Sequence, residues 1–319
     1  MNRPLPQVQD IAPSELTTCL QWLLGKMRVE RAQWVVAQLT DRVERRRMVD
    51  VVAVESRQDG QVVAAALAIA QPASAATLLA CGDADGQPPS ALDAVLAHLR
   101  ARLYAAGAHF LQAAAECEQH ATRLSRLGFV HLADLAFLVL EAERFPDRTL
   151  MPEGNCRFET VGPLPSRIAF ASAVAANTFA GSRDCPRLND FRSAAEIVES
   201  YRLAPSFDPQ LWRLVVLGNE PVGCLFLTQH HGIAPAPQGG GGEVSGAIEI
   251  SYMGLLQEHR GRGLGELILA EAIRLADHCQ APRMVLAVDR ANLPAISLYH
   301  RCGWIEAAQE SVWGSEILP

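Results

Sequence analysis

The sequence predicts a mixed α/β fold organised as two domains, each with a central sheet flanked by helices. Its 319 residues exceed the usual size of one domain. In both halves, strand-like hairpins alternate with segments whose apolar residues recur at helical spacing. The polar stretch 144–155 contains two prolines and no periodicity, so we place the domains at residues 1–150 and 151–319.

The composition argues against several classes of function. Hydrophobic residues make up 49% of the chain, which suits a protein with a full apolar core. The net charge of −7 and the absence of a long basic run predict no nucleic-acid partner. No apolar segment follows the basic start of the chain, and polar residues and Pro72 interrupt the apolar stretch 62–80. We therefore expect neither a secretion signal nor a membrane span.

The eight cysteines are scattered along the chain without a CxxC pair or a metal-ligand spacing. This distribution is typical of reduced thiols, so we expect a cytoplasmic location and no bound metal. The adjacent His230 and His231 have no cysteine or carboxylate at a useful spacing. A metal site at this pair is therefore not expected.

The first half begins with two predicted helices, at 13–27 and 29–46. A hairpin with strands at 51–55 and 62–70 follows, because Gln58-Asp59-Gly60 is a strong turn signal. The remaining elements of this half are predicted as a strand at 78–81, a helix at 90–106, a strand at 110–115, a helix at 119–127 closed by Gly128, and a strand at 135–140.

The second half repeats this order. A helix at 166–179 and a polar region to about residue 210 precede a hairpin with strands at 212–217 and 221–228. Residues 232–243 contain four consecutive glycines, which predicts a mobile loop. The last predicted elements are a strand at 247–256, a helix at 266–279, a strand at 284–288, and a short helix between Pro294 and Gly303.

Three glycines, Gly261, Gly263 and Gly265, lie between a predicted strand and a predicted helix. Glycines allow a tight turn with outward N–H groups, and the helix dipole favours an anion at this end. A Rossmann loop would have its third glycine further along the chain, and a Walker loop would require a lysine near the glycines. The only lysine is Lys26, so we predict a pyrophosphate site of another class.

Two motifs in this region resemble the signatures of the GNAT N-acetyltransferase superfamily. The segment Arg260-Gly261-Arg262-Gly263-Leu264-Gly265 is similar to the family's R/Q-x-x-G-x-G/A loop. The segment from Asn292 to Trp304 resembles the family's N-x-x-A-x-x-L-Y-x-x-x-G-F/W pattern. The resemblance covers about residues 210 to 310 and implies a GNAT fold with a mostly antiparallel sheet. It also implies acetyl-CoA as the acyl donor, with its pyrophosphate held by residues 260–265.

The resemblance implies two further contacts with acetyl-CoA. Backbone groups near Met253, Leu255 and Leu256 would pair with the pantetheine arm at a point where the strand separates from its neighbour. The Asn292 side chain would contact the CoA arm, although a helix-capping role for this asparagine is equally compatible with its position.

Acyl transfer to an amine requires a neutral nucleophile, a stabilised oxyanion and a proton for the leaving thiolate. We expect Tyr299 to supply this proton, because the pKa of a model tyrosine, ~10, lies above the ~8.5 of a thiol. Glu249 is the candidate base, and strand alternation predicts that it shares a face with Ser251 and Met253. Other interpretations remain: a core tyrosine, a solvent-facing or substrate-orienting glutamate, or a base among His230, His231 and His259.

The predicted function is an acetyl-CoA-dependent N-acetyltransferase that acts on a primary amine of a small molecule or peptide. Transfer to a hydroxyl or thiol would use the same donor site, and a non-catalytic acyl-CoA sensor or scaffold is the alternative. We expect the acceptor to bind to variable loops near 180–205 and 230–245. Acidic residues there could attract a cationic amine or be solvated: Asp184, Asp190, Glu196 and Glu199. The sequence leaves the oligomeric state open.

A second copy of the motif region lies 175 residues earlier. At this offset, residues 123–129 align with 298–304, and residues 110–114 align with 285–289. The copy lacks the glycine loop, has CGDADGQPPS in its place, and has Leu124 at the position of Tyr299. The first half therefore resembles a degenerate GNAT domain that binds no CoA.

Overall fold

The computed structural model describes residues 7–11, 15–44, 48–145, 156–230 and 246–319. The predicted domain boundary at 150 and the predicted mobile loop at 232–243 lie outside these residues. The strands and helices are, in chain order, β1 (Gln7–Asp10), α1 (Leu16–Leu24), α2 (Val29–Glu44), β2 (Val51–Gln58), β3 (Gln61–Gln71), β4 (Ala75–Asp83), α3 (Pro89–Ala105), β5 (Phe110–Ala115), α4 (Glu118–Arg126), β6 (Val130–Glu141), β7 (Cys156–Thr160), α5 (Pro165–Asn177), α6 (Ala194–Arg202), β8 (Trp212–Leu217), β9 (Glu220–Gln229), β10 (Ala247–Leu255), α7 (Leu264–His278), β11 (Arg283–Asp289), α8 (Leu293–Arg301) and β12 (Ile305–Glu316).

The chain divides into two compact units. Unit 1 comprises Met1–Leu132 and Ser311–Pro319, and unit 2 comprises Ala133–Glu310. Two strands cross this division, because β6 begins in unit 1 and ends in unit 2, whereas β12 does the reverse. The assignment of domains to residues 1–150 and 151–319 stays a prediction.

The two units have sheets of the same design. In unit 1 the strand order is β1-β2-β3-β4-β5-β12, and in unit 2 it is β7-β8-β9-β10-β11-β6. In each sheet the first four strands are antiparallel, the fourth and fifth are parallel, and the last pair is antiparallel. The predicted mixed α/β fold with mostly antiparallel sheets is thus confirmed.

The repeat at an offset of 175 residues is visible in the element boundaries. Helices α7 and α8 and strand β12 each begin 175 residues after α3, α4 and β6, respectively. Each repeat contributes its last strand to the other unit's sheet. Residues 135–141 of β6 pair with β11 in unit 2, and residues 311–316 of β12 pair with β5 in unit 1.

The hairpins form where the sequence supplies residues that tolerate positive φ. At the β2–β3 turn, Asp59 has φ 52° and Gly60 has φ 78°, which suits a two-residue connection between twisted strands. At the β3–β4 turn, Ala73 and Ser74 also have positive φ. This turn interrupts the apolar stretch 62–80, which forms two buried strands as predicted. No helix in the described residues is long and apolar enough to cross a membrane.

The sheet of unit 2 is buried on both faces, and alternate residues of β9 serve the two faces. Leu225 and Leu227 belong to a hydrophobic cluster with α7, whereas Cys224 and Phe226 belong to a cluster with α5 and α6. In the second cluster the Trp212 and Phe226 rings stack with centroids 3.6 Å apart. Burial of each such aromatic side chain contributes about 1.5–3 kcal/mol, so this stack fixes the face on which α5 and α6 lie.

Two elements of unit 2 were not predicted. Strand β7 is a five-residue edge strand paired with β8. Helix α6 lies in the region predicted as polar and irregular, and it begins with a capping box in which Ser193 and Glu196 bond to each other's backbone N–H. The Ser-x-x-Glu pattern at 193–196 was a sequence signal for this helix.

Candidate active site

Strands β10 and β11 of unit 2 separate after a short parallel contact. Their pairing runs from Ala247 opposite Arg283 to Glu249 opposite Val285 and then stops. Beyond this point β10 pairs with β9 alone, as far as Leu255 opposite Gly223. The second half of β10 therefore borders an opening on its β11 side, and Met253 and Leu255 lie in this part of the strand. The Leu256 N–H, one residue further, donates to the Val222 carbonyl.

A β-bulge at Ser251 changes the side-chain pattern of β10. Ile250 lies opposite Leu227 and Tyr252 lies opposite Phe226, so Ser251 is the extra residue. The prediction that Glu249 shares a face with Met253 is wrong, because the bulge breaks the alternation. Met253 packs on the α7 side, and Tyr252 instead follows Glu249 onto the α5–α6 side. Ser251 remains close to Glu249's partner on β9, since its Oγ lies 2.7 Å from Thr228 Oγ1.

The glycine loop ends at the N-terminus of α7, as predicted. Gly261 and Gly263 have φ values of 70° and 79°, which favour glycine, and a Cβ at either position would point into open space. Among the described residues, no acceptor pairs with the five backbone N–H groups from Gly261 to Gly265. Five adjacent unpaired donors at the positive end of a helix can hold an anion such as pyrophosphate.

Two residues of the loop have packing roles. A Cβ at Gly265 would approach Leu298 Cδ2 of α8 to 2.8 Å, so glycine permits α7 and α8 to lie close together. The side chain of Leu264, the first residue of α7, is buried in the hydrophobic core. At these two positions only the backbone N–H is available to a ligand.

The two arginines of the loop differ in their surroundings. The Arg260 guanidinium donates to four carbonyl oxygens, those of Leu255, Thr178, Ala180 and Gly181, at 2.7 to 3.0 Å. Its side chain thus joins the end of β10 to the segment after α5. The Arg262 side chain is exposed and forms no ion pair in the described part of the chain. Of the two guanidinium groups, that of Arg262 is therefore the more accessible to an anionic ligand.

Asn292 occupies the N-cap position of α8 but does not cap the helix, since its side chain makes no capping hydrogen bond. Its side chain instead lies near the carboxyl group of Asp184, where it acts to lower the pKa of that group. Sequence reasoning left capping and CoA contact as alternatives for Asn292. The structure thus places the side chain next to a carboxyl group that neither alternative included.

Tyr299 lies on α8 with only 6% of its surface exposed, and its ring meets Trp304 edge-on at 5.9 Å. Burial, with a smaller contribution from the charge of Asp184, raises the pKa of Tyr299 well above its usual value. Its hydroxyl makes no hydrogen bond within the described residues. The phenol is therefore protonated and has a free donor.

Glu249 forms a close pair with His230. Their Oε2 and Nε2 atoms are 2.7 Å apart, and both side chains are partly exposed. The strand partner of Glu249 is Thr228, two residues before His230. Of the other candidate bases, His231 lies outside the described residues, and His259 is buried with an unpartnered Nδ1.

The four acidic residues named for the acceptor loops have separate surroundings. Glu196 belongs to the capping box of α6, and Glu199 pairs with Arg202 one turn later. Asp190 is exposed. Asp184 lies beside the end of β11, where its Oδ1 accepts the Asp289 N–H at 2.8 Å. The charge of Asp184 also contributes to the raised pKa of Tyr299.

Unit 1 retains the opening but lacks the anion loop. Its parallel strands β4 and β5 stop pairing after Leu78 and Ala113. The Arg31 guanidinium donates to the Leu79 carbonyl at 3.3 Å, at the start of this opening. The N-cap and first residue of α3 are Pro88 and Pro89, which have no N–H to offer an anion.

Other residues in unit 1 also differ from their counterparts in unit 2. Asp83, at the end of β4, pairs with Arg123 at 3.7 Å. Leu124, which corresponds to Tyr299, is buried in an apolar cluster. Unit 1 thus has the same strands and helices as the motif region of unit 2 but lacks its glycine loop and its tyrosine.

Residues 183–304 match the family model described as Acetyltransferase (GNAT) family. The chain contains a GNAT acetyltransferase domain. This domain includes the glycine loop, the β10–β11 opening, Glu249 and Tyr299. The predicted GNAT resemblance is therefore confirmed.

A mycothiol acetyltransferase from Corynebacterium aurimucosum is 33% identical over 103 residues. These residues are 30% of this chain and 34% of that protein, so the similarity spans about a third of the relative's length.

Solved structures share the fold of this chain over nearly its whole length. A GCN5-related N-acetyltransferase from Sphaerobacter thermophilus has a TM-score of 0.57 at 17% identity and covers 100% of this chain and 98% of its own. A tandem GNAT protein from the clavulanic acid biosynthesis pathway has a TM-score of 0.52 at 15% identity, with 98% and 99% covered. A glucosamine N-acetyltransferase region of a fungal β-N-acetylglucosaminidase reaches 0.60 at 16% identity, over 99% of this chain and 38% of that one. These similarities show a GNAT fold, including a tandem form.

Proposed function

We propose that this GNAT protein is an N-acetyltransferase that transfers the acetyl group of acetyl-CoA to a primary amine of a small molecule or peptide. The observation that carries the proposal is the row of five unpaired N–H groups from Gly261 to Gly265, at the N-terminus of α7. This row follows directly after the strand that borders the β10–β11 opening. A pyrophosphate on the loop would leave its attached arm free to run along β10.

The donor would be held mainly by backbone groups. The N–H groups of residues 261–265 would bind the pyrophosphate, and Arg262 would add a cation beside it. Backbone groups of β10 from Met253 to Leu255, which lie beyond the last residue paired with β11, would bind the amide-containing arm. Arg260 would act indirectly, because its guanidinium is bonded to four carbonyl groups of the protein. Asn292 would approach the donor through its position at the start of α8.

The reaction forms one C–N bond and breaks one C–S bond. The thioester supplies an electrophilic carbonyl carbon, which a neutral amine attacks to give a tetrahedral intermediate. Glu249, paired with His230, would accept the proton that the amine loses, directly or through water. Tyr299 would donate its phenolic proton to the departing thiolate, so the products are an amide and free CoA thiol.

Binding and turnover test the proposal separately. Calorimetry with acetyl-CoA would compare the wild type with Gly263→Asp, which adds a carboxylate to the anion loop, and with Gly263→Asn, which adds a neutral side chain of the same shape. Gly86→Asp is the matched control, because Gly86 also has positive φ and open space around it but lies in the loop of unit 1. We expect Gly263→Asp alone to abolish binding.

A thiol-release assay against pooled amines then separates an enzyme from a sensor. Release of free CoA that depends on an amine supports the acetyltransferase. Tight binding without release in the presence of any amine would favour a non-catalytic acyl-CoA sensor. Absence of binding to the wild type would refute both functions.

A further inference from the structure

Residues 178–185, which we name the bridging segment, follow α5 and lie between the end of β10 and the end of β11. Two hydrogen bonds hold the segment at the β11 end. The Asp289 N–H donates to Asp184 Oδ1 at 2.8 Å, and the Cys185 N–H donates to Asp289 Oδ2 at 3.1 Å. Because Asp289 is the last residue of β11, one end of the bridging segment is fixed to the end of that strand.

The Arg260 guanidinium holds the other end of the bridging segment. It donates to the carbonyl oxygens of Thr178, Ala180 and Gly181 at 2.7, 2.9 and 2.7 Å, respectively. Its Nε donates to the carbonyl of Leu255, the last residue of β10, at 3.0 Å. One side chain thus ties three carbonyl groups of the bridging segment to the end of β10.

The bridging segment also packs closely at this end. Thr178 is 1% exposed, and its Oγ1 lies 2.6 Å from the Tyr252 hydroxyl on β10. A Cβ at Gly254 would come within 2.3 Å of the same Oγ1, so glycine permits this approach. The Gln257 side chain lies against Gly181, where a Cβ would be 2.9 Å from Gln257 Oε1. The position of the bridging segment therefore depends on side chains at the end of β10 and in the turn that follows it.

The bridging segment borders the opening between β10 and β11. These strands are parallel, so their C-terminal ends lie at the same edge of the sheet. Their pairing stops at Glu249 and Val285, and the opening separates the strands beyond this point. A segment that is bonded to both strand ends lies along one side of the opening. It thus borders the place where the acceptor amine would meet the thioester.

The hydrogen bonds of Arg260 leave little of its guanidinium for the donor. A guanidinium carries five N–H donors in a fixed fork, and the four hydrogen bonds to protein carbonyls occupy most of them. Arg262, two residues further along, is exposed. Of the two arginines of the motif, Arg262 is therefore the one that presents its guanidinium to a phosphate group.

We infer that Arg260 is a positioning residue for the acceptor, because it holds the bridging segment as one wall of the acceptor site. This inference rests on the proposed function, and it assigns an arginine of the glycine-loop motif to the acceptor instead of the donor. A wall that is fixed at both ends keeps the amine close to Glu249 and to the thioester, and small displacements of reacting groups slow a reaction strongly. Loss of the Arg260 side chain releases one end of this wall.

The test separates donor binding from acceptor binding in arginine variants. Arg260→Ala removes the four hydrogen bonds, and Arg260→Lys keeps a cation that can donate to some of the same carbonyls. Arg262→Ala removes the exposed cation of the loop. Arg157→Ala, on the edge strand β7, controls for the loss of an arginine. Calorimetry gives the Kd of acetyl-CoA, thiol release with the fastest amine of the pooled screen gives the acceptor KM and kcat, and hydrogen exchange follows the amides of the bridging segment.

We expect Arg260→Ala to raise the acceptor KM by about tenfold or more, while kcat and the Kd of acetyl-CoA stay close to the wild-type values. Amide exchange should become faster in the bridging segment and keep its rate elsewhere in unit 2. Arg260→Lys should restore part of both properties. Arg262→Ala should show the reverse pattern, with weaker binding of acetyl-CoA and an unchanged acceptor KM. Arg157→Ala should match the wild type.

The other outcomes would overturn the inference. An equal rise in the Kd of acetyl-CoA in Arg260→Ala and Arg262→Ala would make Arg260 a donor ligand. Faster exchange of the bridging segment without a change in acceptor KM would show that the segment is no part of the acceptor site. A lower Tm with losses in every kinetic and binding parameter would assign Arg260 to folding alone. Wild-type thiol release is measured first: if acetyl-CoA binds and no amine releases thiol, the proposed function itself fails, and the inference fails with it.

Discussion

The carboxylate of Glu249 on β10 and the imidazole of His230, the residue directly after β9, lie 2.7 Å apart. The two residues are connected by strand pairing, since Glu249 lies opposite Thr228 and the His230 N–H continues the contact by bonding to the Ala247 carbonyl. A base needs such a fixed position to receive a proton from a bound amine. The pairing with His230 therefore holds the Glu249 carboxylate in a defined position.

Replacing the carboxylate should affect turnover more than donor binding. We expect Glu249→Gln to lower kcat by roughly 10²- to 10⁴-fold, because general-base catalysis contributes about this much. Acetyl-CoA affinity, measured by calorimetry, should stay at the wild-type value. Glu220→Gln removes an exposed carboxylate from β9 and serves as the control. Equal rates for wild type and Glu249→Gln would exclude Glu249 as the base.

Removing the Tyr299 hydroxyl should reduce activity without unfolding the protein. The hydroxyl has no hydrogen-bond partner among the described residues, so Tyr299→Phe loses no internal bond and should keep the wild-type Tm. Because burial raises the pKa of Tyr299, the acid form persists through the neutral and mildly alkaline range. The wild-type pH–rate profile should accordingly show no loss of this acid below pH ~10. Full activity of Tyr299→Phe would contradict the proposed role.

The pKa of Asp184 predicts a pH-dependent difference in stability. Its folded-state pKa is raised by burial, so the folded protein binds this proton more tightly than the unfolded chain. The stabilising contribution of the protonated carboxyl group to the free energy of unfolding is fully present below the unfolded-state pKa of ~3.9. It is lost as the pH rises through the folded-state pKa. Asp184→Asn can keep the bond from Asp289 N–H without ionising. Thermal melts should therefore show a higher Tm for Asp184→Asn than for the wild type at pH 7, and this difference in Tm should disappear near pH 4. A difference in Tm that grows on acidification would contradict this account.

The glycine at position 265 should be required for packing of α7 on α8. A Cβ there would approach Leu298 Cδ2 to 2.8 Å, so Gly265→Ala should destabilise the protein by about 1–3 kcal/mol. Leu298→Ala in the same chain should recover part of this loss by opening space for the new methyl group. Thermal melts of the two single variants and the double variant form a cycle. Strict additivity would mean that the two positions do not interact.

Unit 1 should contribute no second donor site. Pro88 and Pro89 lack N–H groups at the start of α3, and Arg31 bonds to the Leu79 carbonyl at the β4–β5 opening. Calorimetry should consequently give one acetyl-CoA per chain. A stoichiometry of two would contradict the assignment of the first repeat as degenerate.

Local signals in the sequence located most of the elements and the donor loop. Positive-φ glycines, proline at helix starts and apolar periodicity are set by neighbouring residues, so the loop at 261–265 and helix α8 could be predicted. The side chains of β10 that share a face with Glu249 could not be predicted, because the bulge at Ser251 depends on how β9 and β10 pair. Asp184 was recognised only as one acidic residue among several. Its partner Asp289 is 105 residues away, and no local pattern connects them.

The exchange of last strands between the repeats has a consequence for how this architecture can be divided. A fragment that starts at residue 151 would lack β6 and leave the edge of β11 without its partner, and such bare edges promote aggregation. A fragment that starts at residue 130 would carry β6 with it, but it would also retain the part of β12 that belongs with β5. Neither repeat is a self-sufficient building block. The tandem form resembles the covalent fusion of a strand-swapped dimer, in which each copy is completed by the other's final strand.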